Sequence, residues 1–207
     1  MLNNRLISRL LLGSAATLAL LAQTPQPTCK NCQATYIPKS ELDAYTAKEI
    51  KYNQIDLQVR DIDLGKATVG IGMVHRGKLT VEQGKRAGLV AEHEQVSEVY
   101  HVIDGEATLV TGSGIVNPKK RSATERTVIF QNGPGFNGDS ITNPETHHLK
   151  AGDMIVIPAG TGHWFTEIPD HITYMMVRID PDKILPLKSR EQSEADLKTV
   201  PEAPDRR

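Results

Sequence analysis

Short β-branched runs separated by turn residues fill the central part of this 207-residue chain and constrain its fold more than any other feature. From about Gln54 onwards these apolar runs alternate with Gly, Asp and Asn residues. Many short strands separated by turns are typical of an antiparallel sandwich or barrel, so we predict an all-β fold. Only 4% of the residues are aromatic, so we expect Val, Ile and Leu to dominate the core. The predicted strands are Leu57–Ile62, Ala67–Val74, Ala87–Glu92, Glu98–Asp104, Glu106–Thr111, Thr127–Gln131, Met154–Ile157, His163–Glu167 and Ile172–Ile179.

The segments on either side of this β-rich region, residues 54–180, have a different composition. Residues 23–53 are predicted to form a linker and one short helix, Ser40–Ile50. Ser40 is a suitable N-cap for this helix because its hydroxyl can accept a hydrogen bond from a free backbone N–H. Residues 181–207 are charged and poor in apolar residues. We therefore expect this polar tail to be ordered only in part.

An insertion at about residues 112–147 interrupts the β-rich pattern. It is rich in Gly, Asn, Pro and Thr, and its stretch 132–139 is not expected to form a regular element. Long loops in compact domains often cover binding sites, although a solvated insertion explains the composition equally well. We expect the basic cluster Lys119–Arg121, and His147 and His148 near the end of the insertion, to be exposed to solvent.

The N-terminus has the features of a secretory signal peptide, residues 1–22. Arg5 and Arg9 precede the apolar run Leu10–Leu21, and small residues permit cleavage after Ala19 or Ala22. An uncleaved anchor is the alternative, but a membrane span needs roughly 20 apolar residues and this run is shorter. We expect a secreted or periplasmic protein with no stable membrane span after cleavage.

Two cysteines, Cys29 and Cys32, follow the predicted signal peptide with a C-x-x-C spacing. In an oxidising compartment they can pair with each other, and a mobile tail is the alternative interpretation. A thioredoxin-like site would need a βαβ context, which is missing from the pattern that follows. A c-type haem site would need His where the chain has Gln33.

The charge balance argues against nucleic acid as a partner. The formal net charge is −1, and the sequence contains no long basic stretch and no helix-turn-helix pattern. Proteins that bind nucleic acid usually present a basic surface. We therefore expect a small-molecule ligand or substrate and no nucleic-acid partner.

The first cluster of metal-binding residue types extends from His93 to Glu106. Because side chains alternate across a strand, Glu98, Tyr100 and Val102 are predicted to share one face. The dipeptide Asp104–Gly105 is typical of a tight hairpin turn. His93 lies just before this strand and is expected to point towards the same interior.

The second cluster extends from Gly152 to Glu167. A buried strand is predicted to end at Pro158, a glycine-rich turn follows, and His163 begins the next strand. Alternation along that strand would place His163 and Glu167 on one face. Glu167 is therefore predicted to point inward.

These two clusters resemble the paired motifs of the cupin superfamily over roughly residues 55–180. In the first motif, Gly105 lies seven residues after Glu98 and His93 lies five before it, while Ala91 stands where the motif has its first histidine. The second motif ends in Glu167 where the family has Asn. Its other positions match at every spacing with Gly152, Pro158, Gly160 and His163.

The resemblance implies a single small antiparallel cupin β-barrel of the jelly-roll type that holds a divalent metal. Carried over by position, the ligands would be His93, Glu98 and His163. Two histidines and one carboxylate leave open coordination positions and suit Fe, Mn, Zn or Ni. The alternative is a degraded site without metal, which some cupins have. Homodimers are common in the superfamily, so the resemblance also implies a homodimer.

Two classes of function remain open from the sequence. The first is a metalloenzyme acting on a small organic molecule, as a dioxygenase, isomerase or lyase, with Tyr100 and Glu167 as candidate acids or bases. The second is a non-catalytic binding or sensing module with the same pocket. The fold does not choose between them, because one fold hosts many functions.

Overall fold

The computed structural model describes residues 27–29 and 32–201. The predicted signal peptide lies outside the described residues. Within the described ranges, no helix is long and apolar enough to cross a membrane. Cys29 and Cys32 form a disulfide with a Cα–Cα distance of 5.8 Å, which confirms the local pairing.

The described part of the chain is built mainly from β-strands. The helices are α1 (Lys39–Tyr52), α2 (Val81–Gly84), α3 (Arg190–Lys198) and a π-helical turn (Val128–Asn132). The strands are β1 (Asp56–Asp63), β2 (Thr68–Leu79), β3 (Val90–His93), β4 (Ser97–Gly112), β5 (Ile115–Val116), β6 (Lys119–Lys120), β7 (Gly135–Gly138), β8 (Ser140–Ile141), β9 (Glu145–Lys150), β10 (Met154–Ile157) and β11 (Gly162–Asp180).

The strands form a continuous antiparallel sheet that folds into two halves. The long strands β4 and β11 belong to both halves. One half has the order β1-β2-β11-β4-β10, and the other has the order β6-β7-β3-β11-β4-β9. Strands β5 and β8 pair separately. This architecture confirms the predicted all-β antiparallel barrel.

The core lies between the two halves of the sheet and is more aromatic than composition suggested. The rings of Tyr100 and Tyr174 stack with centroids 4.5 Å apart, and the Phe165 ring lies 6.0 Å from that of Tyr174. Aliphatic side chains from several strands surround these rings, as expected. They include Val74, Val102, Leu109, Leu149, Ile157, Ile168, Ile172 and Met176.

Two predicted local structures are wrong. Asp104–Gly105 is not a hairpin turn, since β4 continues through it. Gly105 has φ +77°, and a Cβ there would lie 2.1 Å from the carbonyl oxygen of His171. Glycine therefore lets β4 bend where it crosses β11 closely. The predicted strand Thr127–Gln131 does not form, because Val128–Asn132 make up the π-helical turn.

The predictions for the insertion and for the first helix also need correction. The stretch 132–139 contains β7, which pairs with β3. Helix α1 begins after Pro38, whose side chain makes no capping hydrogen bond, so Ser40 is not the N-cap. The sequence signal for this helix was therefore right in type and wrong at its start.

The described part of the polar tail, residues 181–201, carries helix α3. The Ser189 side chain caps the helix reciprocally with Gln192. The Tyr45 hydroxyl donates a hydrogen bond to the backbone oxygen of Ser193 at 3.1 Å, and Arg60 Nη1 donates to that of Ser189 at 2.9 Å. The tail therefore packs against α1 and β1 through hydrogen bonds to buried side chains, which its low apolar content did not predict.

Replacing Ser193 with alanine tests whether this packing stabilises the barrel. The Ser193 hydroxyl is buried, donates to the Val59 backbone oxygen and accepts from Arg60. Losing a buried partner of this kind should lower the free energy of unfolding by about 1–3 kcal/mol, measured by urea denaturation. Alanine at the neighbouring exposed Glu194 is the control, with no measurable change expected. Equal stability of both variants would contradict a structural role for the tail.

Candidate metal centre

Three strands bring the predicted ligands together. His93 ends β3, Glu98 lies at the start of β4, and His163 lies at the start of β11. Strand β11 pairs with both β3 and β4, so that His163 lies opposite Ala91, and Arg178 lies opposite Glu98. The long strand β11 is thus the reason that residues distant in sequence meet in one place.

The three side chains form a compact and enclosed group. His93 Nε2 lies 3.3 Å from Glu98 Oε1, and His163 Nε2 lies 3.5 Å from Glu98 Oε2. One ligand atom from each residue lies within 4.8 Å of the others. Their exposed fractions are 4% for His93, 1% for Glu98 and 6% for His163. Among the described residues, this is the one group of His, Cys, Asp or Glu with such geometry.

Further donors surround the Glu98 carboxylate. The Tyr100 hydroxyl donates a hydrogen bond to Glu98 Oε2 at 2.9 Å, so this predicted site residue does point inward. Arg178 Nε lies 3.8 Å from Glu98 Oε1. Burial would raise the pKa of Glu98, but His93, His163 and Arg178 outweigh it and hold that pKa well below its ordinary value. Glu98 is therefore a carboxylate at neutral pH.

Both histidines are neutral at neutral pH and Tyr100 keeps its proton. Burial lowers the pKa of His93 to about 4, and the charge of Glu98 offsets this only in part. Burial also lowers the pKa of His163. For Tyr100, burial and then the nearby Glu98 charge raise the pKa well above its usual value. Neutral imidazoles and a carboxylate are the protonation states that metal binding requires.

The outer nitrogens of the two histidines have different neighbours. His163 Nδ1 lies 3.0 Å from the backbone oxygen of Thr161, which can only accept a hydrogen bond. This fixes the proton on Nδ1 and leaves Nε2 free, the arrangement usual for a metal ligand. His93 Nδ1 instead lies 3.4 Å from Arg121 Nη1. The donor set fits a divalent metal in residue type and spacing, and His163 also fits in tautomer.

The structure places the other predicted acid or base, Glu167, away from the centre. The register of β11 shifts after Phe165, and Glu167 lies opposite Thr108, a position that faces away from the core. Ile168 takes the buried position instead. The inward orientation predicted by simple alternation is therefore wrong for Glu167, because an irregular pairing reverses the faces after Phe165.

The sequence did not predict that two arginines, Arg121 and Arg178, lie near the centre. Arg121 was expected to be solvated, yet it is 5% exposed and contacts His93. Arg178 is fully buried opposite Glu98. For Arg178, alternation with the buried Met176 on β11 is a signal that could have predicted an inward side chain. Arg121 offered no comparable signal within its basic triplet.

The remaining histidines lie outside this centre. His147 is half-buried and hydrogen-bonds the Thr111 hydroxyl at 2.8 Å, while His148 is exposed as expected. His171 bridges Asp104 and Asp170 at 3.0 and 2.7 Å on the surface. These histidines therefore provide controls for variants of the centre.

No model of a protein family and no curated protein matches this chain. Among solved structures, a Bacillus halodurans protein is 12% identical, covers 80% of this chain and 96% of its own, and has a TM-score of 0.40. The DMSP lyase DddQ from Ruegeria pomeroyi is 13% identical over 62% of this chain and 47% of its own, with a TM-score of 0.36. The cupin domain of Drosophila melanogaster CENP-C is 13% identical over 57% of this chain and 73% of its own, with a TM-score of 0.32. At these scores the three structures assign neither a family nor an activity to this chain.

Proposed function

We propose that this chain is an exported cupin-type barrel that binds a divalent metal through His93, Glu98 and His163. The observation that carries the proposal is the buried cluster of three ligand atoms within 4.8 Å of one another. A carboxylate and two imidazoles suit Fe, Mn, Zn or Ni and leave open positions for a substrate. Burial of all three groups makes a solvated surface cluster a poor explanation.

We further propose that the barrel acts on a small organic molecule as a dioxygenase, isomerase or lyase. A bound metal would supply Lewis-acid chemistry at the open coordination positions. We retain the Tyr100 hydroxyl as the candidate acid, because it keeps its proton and lies beside Glu98. Its hydrogen bond also orients the Glu98 carboxylate, so a positioning role accompanies any proton transfer. Glu167 is not retained in the proposal, because it faces away from the centre.

A non-catalytic binding barrel is the second candidate function. Both Glu98 oxygens already have partners within the protein. The Glu98 carboxylate is therefore satisfied without a catalytic metal, which favours this second function. Such a protein would retain a small ligand without converting it. Incubation of the metal-loaded protein with candidate organic acids, phenols and sugars, followed by product analysis, separates the two functions.

Export is supported by two features of the N-terminal region. The apolar run that follows Arg5 and Arg9 resembles a signal peptide, and the Cys29–Cys32 disulfide suits an oxidising compartment. Expression with an intact N-terminus, followed by fractionation and mass measurement of the mature chain, tests the proposed cleavage. The homodimer expected from the resemblance stays a prediction.

Removing one histidine of the centre should abolish tight metal binding. We expect His163→Ala to weaken the affinity for Mn(II) or Zn(II) at least about 100-fold, because losing a residue that only supports a ligand already costs 10–100-fold and His163 would itself be a ligand. Equilibrium titration of the metal-free protein with a competing chelator measures this change. His171→Ala, which removes a surface histidine, should bind like the wild type. Equal losses in both variants would contradict the assignment of the centre.

Restoring the motif histidine that this chain lacks at position 91 should strengthen metal binding. Ala91 is half-buried and lies directly opposite His163, so a side chain there shares its face. We expect Ala91→His to tighten Ni(II) or Zn(II) binding about tenfold or more, because a fourth ligand joins the set. Ala91→Ser controls for the change in volume. Unchanged affinity in Ala91→His would show that position 91 does not face the ion.

A further inference from the structure

We infer that Arg121 fixes His93 in the tautomer that carries its proton on Nε2, and thereby opposes metal ligation by this histidine. Arg121 is thus a positioning residue that acts through His93. The expected effect of Arg121 on metal affinity rests on the proposed function, whereas the effect of Arg121 on the His93 ring does not.

The Arg121 guanidinium is held in place by several acceptors. Its Nε donates to Asn137 Oδ1 at 3.0 Å, and its Nη2 donates to the backbone oxygens of Glu92 and Phe136, both at 3.3 Å. The Arg121 backbone N–H also donates to the Gly135 oxygen at 3.0 Å. The side chain is 5% exposed, so it cannot turn away into solvent without breaking these contacts. Its position is therefore set by the β6–β7 and β3–β7 pairings.

The chemistry of the guanidinium decides the tautomer of His93. Arginine has five N–H donors and no acceptor, so the Nδ1 of His93, 3.4 Å away, must accept. A neutral imidazole has one donor and one acceptor nitrogen. The proton therefore lies on Nε2 and points at Glu98 Oε1, 3.3 Å away. The Glu98 carboxylate then accepts from both His93 and Tyr100 without any ion.

His163 provides the internal comparison. Its Nδ1 faces the carbonyl of Thr161, so its proton lies on Nδ1 and its Nε2 is bare. The two histidines of one centre are thus prepared in opposite ways. The Nε2 of His163 can therefore bind a metal directly, whereas the Nε2 of His93 carries a proton that must first be removed.

Ligation by His93 Nε2 requires the proton to move to Nδ1 by exchange with water. An Nδ1–H would then face the donors of Arg121, and the guanidinium would have to withdraw from its acceptors. Metal-binding histidines usually donate their outer N–H to a carbonyl or carboxylate, and losing that support typically costs 10–100-fold in affinity. We therefore expect Arg121 to weaken metal binding by about that factor relative to a residue that can accept.

The test uses the full mature chain and two readouts. The first is the ¹⁵N chemical shifts of the histidine ring nitrogens in the metal-free protein, which report the tautomer directly. The wild type should show His93 protonated on Nε2 and His163 protonated on Nδ1, and this measurement needs no variant. In Arg121→Gln, whose amide oxygen can accept, His93 should shift towards the Nδ1–H form.

The second readout is the dissociation constant for Zn(II) and Mn(II). Arg121→Gln should bind about 10–100-fold more tightly than the wild type. Lys120→Gln is the matched control, since it removes the same charge from the adjacent residue. In the wild type, Lys120 pairs with Glu94 rather than with a residue of the centre. That variant should stay within about threefold of the wild type, because an exposed charge is screened.

The outcomes separate the inference from the proposed function. His93 protonated on Nδ1 in the wild type would overturn the inference, whatever the affinity for metal. Zinc or manganese binding in Arg121→Gln that is no tighter than in the wild type or in Lys120→Gln would overturn its metal consequence. The expected tautomers, with no metal bound by either protein, would support the effect of Arg121 on the His93 ring and overturn both its metal consequence and the proposed metal function.

Discussion

Replacing Arg178 with alanine is expected to lower the free energy of unfolding by about 3–5 kcal/mol. Arg178 is fully buried, donates from Nε to Asn132 Oδ1 at 3.1 Å, and pairs with Asp56 and Gln58 through its other nitrogens. Its removal leaves the mostly buried Asp56 carboxylate without its ion-pair partner. It also removes a positive charge beside Glu98, so the fold and the candidate centre share this residue.

Urea denaturation of Arg178→Ala and Arg190→Ala measures this effect. Arg190 forms an exposed i,i+4 pair with Glu194 at 2.8 Å, and such pairs contribute little in water. We expect no measurable change for Arg190→Ala. A loss below about 1 kcal/mol in Arg178→Ala would mean that the buried network is not a major source of stability.

Replacing Glu49 with glutamine is expected to stabilise the protein near pH 8, by at most about 5 kcal/mol. Glu49 lies on α1 with no exposed surface, its Oε1 accepts from the Leu57 N–H at 3.0 Å, and its Oε2 has no hydrogen bond among the described residues. Burial, and then the charge of Asp56, raise the pKa of Glu49 to about 10. The folded protein therefore keeps a proton that the unfolded chain releases above about pH 4.5.

The sign of the pH dependence follows from this difference in bound protons. Below about pH 4.5 both states hold the proton, so Glu49 does not penalise folding there. As the pH rises from there towards 10, the unfolded state binds fewer protons and the wild type loses stability. Glutamine resembles the protonated acid and does not titrate. The two proteins should therefore be equally stable near pH 4 and diverge as the pH rises.

Glu41→Gln on the same helix is the matched control with the opposite sign. Glu41 forms an ion pair with Arg60 at 2.7 Å, and both side chains are largely buried. Neutralising it should destabilise the protein near pH 8, because Arg60 loses its counter-charge. Thermal or urea unfolding at pH 4, 6 and 8 distinguishes the variants. Destabilisation of Glu49→Gln near pH 8 would show that the Glu49 carboxyl is ionised in the folded state.

The sequence predicted the parts of the candidate centre that depend on local order. Alternation correctly placed Glu98, Tyr100 and Val102 on one face of β4. The spacing of the two motifs correctly predicted that His93 and His163 lie close together. They do so because β11 pairs with both β3 and β4. Such predictions need only a regular strand and the correct neighbours.

The failures arise where a contact from a distant segment changes the local pattern. Glu167 faces outward because the register of β11 shifts after Phe165. Gly105 bends a continuous strand because the backbone of His171 passes close to it. Arg121 is buried because β6 pairs with β7, a strand in a stretch that gave no strand signal. None of these long-range pairings has a signature in the residues that it affects.

Anomalous diffraction from crystals soaked in Mn(II) or Zn(II) is the most direct test of the proposed metal centre. We expect one strong peak enclosed by His93, Glu98 and His163, about 2.0–2.2 Å from the Nε2 atom of His163 and from a Glu98 oxygen. His163→Ala crystals treated in the same way should lack that peak. A wild-type map with no peak there, or with peaks only at surface groups such as His171, would contradict the metal-binding account.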